Sequence, residues 1–299
     1  MAMTGWPSVT VVVPTQDHPA GLRRALASIL GQDYAGYLAC VVVFDRAEPF
    51  DLSDMLPSAQ GRTLVVMRNT RTPGRAGARN TGVDASFGDL IAFCDDNAEW
   101  LPGKLSAQVE AMRADPDAHA VLAGIEIWRH GVRTPKVPAS ITLTNQDLCR
   151  SGSMDLHTST FLVEREAYEG AVGPFDEGCP QGYRDGYEWL LRASAQAPVV
   201  VVRDPLVRVY PEENHDGAEG PHTVIAGIQY LLDAHPALRG CRRTLSLMEG
   251  EAASAHAALG HWREARRWAV RSIRHRPSDT GRYLALAVSP RLARRQGPT

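Results

Sequence analysis

Lysine is nearly missing: Lys104 and Lys136 are the only two, and the remaining basic residues are arginines. An arginine bias of this kind fits a GC-rich genome. The chain also lacks a dominant charge sign, with 32 basic and 34 acidic residues among 299 giving a net charge of −2. Nucleic acid is therefore not the expected partner. Cysteine is scarce and scattered. Cys40, Cys94, Cys149, Cys179 and Cys241 form no C-x-x-C pair, which argues against a zinc site or a disulfide framework and makes reducing cytoplasm the expected location. No run reaches the roughly 18 apolar residues of a membrane span. The start, Met-Ala-Met-Thr-Gly-Trp-Pro, shows no basic region leading into an apolar stretch, so neither export nor a transmembrane segment is expected.

What is present is a composition that can bury a core, 44% hydrophobic and 22% charged. Residues 9–13 and 38–44 are continuous apolar runs rich in β-branched residues and read as buried parallel strands. Between them Leu22, Ala25, Leu26, Ile29 and Leu30 recur at helical spacing behind Asp17-His18-Pro19. The alternation continues with a helix over 51–60, a strand over 63–67, a helix over 76–86 and a strand over 90–93. This is an α/β pattern with helices on both faces of the sheet. A helix over 103–114 and an apolar segment over 120–128 follow. Residues 129–157 read as irregular, 160–163 and 199–202 as strands, and 187–195 as a helix. The polar stretch 211–221 is the best boundary, so the expected domains are 1–215 and a helical 216–299, with helices over 252–259 and 262–273. Charge divides the same way: 13 arginines against four acids from Arg239 onward, and 19 basic against 30 acidic residues before it.

Ligands of open α/β sheets sit beyond the carboxyl ends of the strands, where Thr15, Asp45 and Asp95 project. The strand over 90–93 delivers Asp95, Asp96 and Asn97, hard oxygen ligands that suit Mg²⁺ or Mn²⁺ bridging nucleotide phosphates. The same residues also suit a solvated turn. The run Gly74-Arg75-Ala76-Gly77-Ala78-Arg79-Asn80-Thr81-Gly82 offers glycines for close backbone approach and arginines for phosphate oxygens, or else an ordinary loop and helix start. It lacks the G-x-x-x-x-G-K-[ST] pattern of a P-loop.

Taken in order, Val11-Val12-Val13-Pro14-Thr15, Ser28-Ile29-Leu30-Gly31-Gln32, Val41-Val42-Val43-Phe44-Asp45, Ala78-Arg79-Asn80-Thr81-Gly82, the Asp95 segment with Trp100 and Pro102, and Gly173-Pro174-Phe175-Asp176-Glu177 before Tyr187-Glu188-Trp189 resemble the family-2 inverting glycosyltransferases. The resemblance spans about residues 8–210 and implies the GT-A fold, a Rossmann-like mixed sheet, here followed by a small all-α region. It implies a nucleotide diphosphate sugar as donor, with Thr15 and Asp45 lining the base and ribose pocket, Arg75 and Arg79 near the phosphates, and Asp95, Asp96 and Asn97 holding the ion. His215 is a further candidate ligand, a few residues later than the family's usual histidine.

Three positions depart from that family pattern. Asn97 and Ala98 stand where acids are usual, and Gly186 stands where the base is usual. Asp185 is then the expected catalytic base, with Asp176 or Glu177 as fallbacks and helix capping as its other reading. The expected function is inverting transfer of a sugar to an acceptor hydroxyl or amine on a small molecule or glycan. The alternative is a GT-A-like scaffold with weakened or lost catalysis; a nucleotidyltransferase is disfavoured. Residues 255–277 resemble one tetratricopeptide hairpin. Their positive charge suits docking on the acidic remainder of the chain, and leaves peripheral contact with an anionic membrane open.

Overall fold

The strand over Val9–Thr15 (β1) shows no polar alternation because all seven of its residues are buried, as expected where helices cover both faces of a sheet. The computed structural model describes residues 5–56, 61–151, 156–211 and 220–277. Residues cluster into two units, one of 1–145, 154–177 and 185–216, the other of 146–153, 178–184 and 217–299.

In the first unit, β1 is followed by α1 (Pro19–Leu30), β2 (Leu38–Phe44), β3 (Arg62–Arg68), α2 (Arg75–Asp84) and β4 (Leu90–Phe93). The four strands are parallel in the order β3-β2-β1-β4. Pro19 opens α1, where its missing N–H costs nothing. Gly82 lets α2 close on β1, since a Cβ there would stand 2.3 Å from a Val12 methyl. The expected helix over 51–60 is only a single turn at Ser53–Met55, with 57–60 outside the described residues. Asp51 Oδ1 accepts the Ser53 N–H (2.9 Å), an Asx turn that competes with helix.

The chain continues through β5 (Ala98–Trp100), α3 (Lys104–Ala114), β6 (Ala120–Arg129), β7 (Val132–Lys136), β8 (Thr142–Leu143), α4 (Asn145–Ser151), β9 (Leu162–Glu164), α5 (Arg165–Glu169), α6 (Asp185–Gln196) and β10 (Val199–Val209). β9 inserts antiparallel between β4 and β6, and β10 runs parallel to β6 and antiparallel to β5, so a ten-stranded mixed sheet results. The described residues within 129–157 are thus more regular than the sequence predicts. The β6–β7 hairpin turns on His130 and Gly131, both at positive φ (50° and 79°). That is the geometry of a tight primed turn, signalled far better by Asn-Gly than by His-Gly.

In the second unit, α7 (Pro221–Ala234), α8 (Arg242–Ala258) and α9 (Trp262–His275) form an all-helical group. Tyr183 packs on Gly227 of α7, where a Cβ would meet its ring at 2.2 Å. Glu251 of α8 accepts from the Tyr183 hydroxyl (3.0 Å) and from Arg184 (2.6 Å). α8 and α9 are a hairpin that turns at Gly260 (φ 75°) and packs through Ala253 and Ala269. No described helix is long and apolar enough to cross a membrane.

Candidate active site

β1 pairs with both β2 and β4, so the carboxyl ends of these three strands lie side by side. Thr15 ends β1, Asp45 follows β2, and Asp95, Asp96 and Asn97 follow β4. The Asp45 N–H donates to the Thr15 carbonyl (2.8 Å), and the Thr15 hydroxyl donates to Asp96 Oδ2 (2.6 Å). Gly21 lets α1 approach this turn, because a Cβ there would fall 2.4 Å from the Asp96 carbonyl oxygen.

Asp45 is buried and accepts from Asn69 Nδ2 (2.9 Å), the Gly74 N–H (3.0 Å), Arg46 Nε (3.0 Å) and Gln16 Nε2 (3.2 Å). Burial pushes its carboxyl up, but these bonds outweigh burial and hold it below the ordinary carboxylate range. Asn69 and Gly74 bracket the loop that leads into α2, so Asp45 shapes the segment that presents Arg75.

The sequence places Arg79 near donor phosphates. The structure places it beneath the crevice, 1% exposed. Its Nη1 donates to Asp185 Oδ2 (2.6 Å) and its Nη2 to Asp95 Oδ1 (2.8 Å). The physical reason is the tight contact of α2 with β1, which turns residues 76–83 inward. Arg75, one turn earlier, is exposed, and its charge acts on Asp95. Burial alone would lower the pKa of Arg79; the charges of Asp185 and Asp95 reverse this and raise it. Burial likewise pushes Asp95 up, but Arg79, then His157 and Arg75, hold it at about 2.

His157 is a site residue that sequence reasoning missed. Its Nδ1 accepts the Ser159 N–H (3.2 Å), which leaves the proton on Nε2, 4.0 Å from Asp95 Oδ2. Ser159 in turn accepts the Asp95 N–H through its hydroxyl (2.9 Å). No local pattern announces His157; it reaches Asp95 because β9, which follows its turn, pairs with β4.

Among the described residues, no three His, Cys, Asp or Glu side chains form a ready metal cage. The set that does occur is Asp95, Asp96 and the Asn97 amide, whose Oδ1 is buried without a hydrogen-bond partner. Oxygen donors of this kind fit Mg²⁺ or Mn²⁺, which are commonly held by one or two carboxylates together with substrate phosphates. His215 lies outside the described residues.

Asp185 opens α6 and is buried; its Oδ1 accepts the Gly186 N–H (2.7 Å). A Cβ on Gly186 would stand 2.9 Å from the Thr158 hydroxyl. The fallback carboxylate Glu177 accepts from Asn80 (2.7 Å), Arg71 (3.0 Å) and the Thr72 N–H (3.1 Å), which ties it to the loop before α2.

Residues 10–170 match the family model described as Glycosyl transferase family 2. Among curated proteins the chain is similar to the Escherichia coli UDP-Glc:alpha-D-GlcNAc-diphosphoundecaprenol beta-1,3-glucosyltransferase WfgD, 28% identical over 104 residues, covering 35% of this chain and 40% of the relative. The chain thus spans less than half the length of that relative. Two solved structures share the fold. One is S. aureus TarS 1–349 in complex with UDP-GlcNAc, with TM-score 0.64, 15% identity, and 96% of this chain and 92% of that chain covered. The other is the Pyrobaculum calidifontis mannosyltransferase in complex with GDP-Man and Mn²⁺, with TM-score 0.57, 19% identity, and coverage of 95% and 86%.

Proposed function

Because the chain belongs to glycosyl transferase family 2, whose model it matches over more than half its length, we propose that it moves a glycosyl group from a nucleotide diphosphate sugar to an acceptor hydroxyl or amine by direct displacement with inversion. One observation carries this reading. A single buried guanidinium, Arg79, joins Asp95 (2.8 Å) to Asp185 (2.6 Å), which supports pairing the carboxylate proposed to hold the ion with the one proposed as base.

In the proposed mechanism, Thr15 and Asp45 line the base and ribose pocket, and Arg75 meets the diphosphate. Asp95, Asp96 and the Asn97 amide oxygen would hold Mg²⁺ or Mn²⁺, which when bound offsets the charge of the departing diphosphate. Asp185 accepts the proton of the acceptor hydroxyl while that oxygen bonds to the anomeric carbon and the bond to the diphosphate breaks. Each Asp185 oxygen already accepts one bond and keeps a second lone pair for this step. His157 Nε2–H faces the same carboxylate cluster as a fixed neutral donor. Its pKa is lowered, by burial first, with the charge of Asp95 opposing and those of Arg79 and Arg75 adding. A reducing cytoplasm, which the scattered spacing of the cysteines suits, belongs to the same proposal.

A second reading, a nucleotide-sugar-binding subunit with weak or no turnover, is favoured by one feature. The family's usual base position is Gly186, and a Cβ there would stand 2.9 Å from the Thr158 hydroxyl, so a side chain would force a shift. Titration calorimetry with nucleoside diphosphates, with and without Mn²⁺, followed by a donor-turnover assay separates the two. Metal-dependent binding with transfer supports the enzyme, and binding without turnover for any donor supports the subunit. No binding at millimolar nucleotide would overturn both.

A further inference from the structure

α9 carries its arginines in a stripe. Arg263, Arg266, Arg267, Arg271 and Arg274, with Val270 among them, follow i, i+3, i+4, i+7, i+8, i+11 spacing and frame one open groove. All five arginines are exposed, while Ala265, Ala269 and Ser272 on the other side are buried. From Arg263 to Arg274 the stripe is about 16 Å long at the helical rise.

Such a stripe is unfavourable for an isolated helix. Four pairs, 263/266, 263/267, 267/271 and 271/274, place like charges at i,i+3 or i,i+4, where they repel. Acidic neighbours relieve only part of this. Arg271 meets Glu249 at 2.8 Å and Arg267 meets Glu264 at 3.9 Å. Arg263, Arg266 and Arg274 have no acidic partner among the described residues, so the described acidic groups leave that charge uncompensated.

We propose that this face of α9 is a docking surface for an anionic lipid membrane. The contact is electrostatic and parallel to the surface: the apolar side of α9 is already buried, so the helix lies on the headgroups without inserting. A straight row of guanidiniums suits a flat field of phosphates. The lining of its groove holds no aromatic side chain on which bases stack. The choice of lipid over other anions rests on the transfer reading, since a transferase gains local substrate concentration when its acceptor is membrane-borne.

The test is sedimentation of the full chain with vesicles of phosphatidylcholine alone or with phosphatidylglycerol, at low and physiological salt. Wild type should bind only the anionic vesicles, more weakly as salt rises. The triple variant R263Q/R266Q/R274Q should lose about a hundredfold in partition, at about fivefold per arginine near the surface. It should melt no lower than wild type, because like-charge repulsion is removed. Failure of wild type to sediment with anionic vesicles, or equal binding by the triple variant, overturns the proposal. So does stripe-dependent binding of RNA or polyphosphate without vesicle binding. Nucleotide titration of both proteins without vesicles keeps this result separate from the transfer reading: the triple variant should bind nucleotide as wild type does, whatever the vesicles show.

Discussion

Arg79→Met removes one side chain and leaves two buried carboxylates without their shared cation. Asp95 and Asp185 are both largely buried, with side chains 14% and 7% exposed. Breaking a buried ion network by deleting one partner costs about 3–5 kcal/mol, roughly a fifth or more of the stability of an ordinary domain. For a unit of this size that corresponds to a melting shift of roughly 10 °C. The pH dependence gives a sharper readout. In the wild type, Asp95 is held at about 2 against an unperturbed 3.8. Its contribution, about 2 kcal/mol by linkage, is fully present above pH 5 and is lost as pH falls toward 2. In the variant the sign reverses. Burial without Arg79 raises the Asp95 carboxyl above its unfolded value, so the variant recovers stability relative to wild type as pH falls and that carboxyl protonates. Urea denaturation at pH 7, 5 and 4 measures this directly. A variant within about 1 kcal/mol of wild type at pH 7, with an unchanged pH slope, would refute the buried bridge.

Asp185→Asn should lower transfer by about 10²- to 10⁴-fold while calorimetric donor affinity stays the same; an unchanged rate removes Asp185 as the base. Gly186→Ala should cost about 1–3 kcal/mol in urea titration through its clash with the Thr158 hydroxyl, and Thr158→Ala in the same chain should restore most of that; no restoration would mean the contact is not the cause. Lys104 is fully buried, lies over the Trp100 ring and donates to Gln108, and burial lowers it to about 7. Since the unfolded chain holds that proton up to 10.5, stability should rise with pH from 7 toward 10. Lys104→Met should abolish the rise and melt higher at pH 6; a slope that survives the substitution points to another group.

How much of this was readable in the sequence depends on how local each signal is. β2 begins and ends where its apolar run does, at Leu38 and Phe44, because a strand buried on both faces favours a continuous apolar run, which the charged Asp45 ends. α8 begins ten residues earlier than the predicted helix over 252–259, at Arg242. Its first turns, Arg-Arg-Thr-Leu-Ser, carry too few apolar residues to show a period. Asp45 and Asp95 were identifiable as strand ends facing the crevice. Whether Arg79 faces a ligand or the protein's own carboxylates was not, because that depends on the rotation of α2 about its axis, which Gly82 and Val12 decide together. His157 carried no signal, since its role comes from a strand pairing that follows it in the chain.

The same guanidinium that makes the site expensive to dismantle also bears on the altered base position. With glycine at 186, Asp185 is the carboxylate at the start of α6 that Arg79 ties to Asp95, and Arg79 fixes its orientation. Arg79→Lys therefore separates stability from geometry. A lysine keeps the positive charge but presents a point in place of a two-pronged fork, so it can pair with Asp95 or Asp185 but not hold both. If Asp185 is the base, this variant should recover much of the stability lost in Arg79→Met, as read in urea, yet transfer far more slowly than wild type with donor affinity retained. Transfer restored in step with stability would mean that the cluster needs only a charge, and that the spacing of the two carboxylates plays no part in the chemistry.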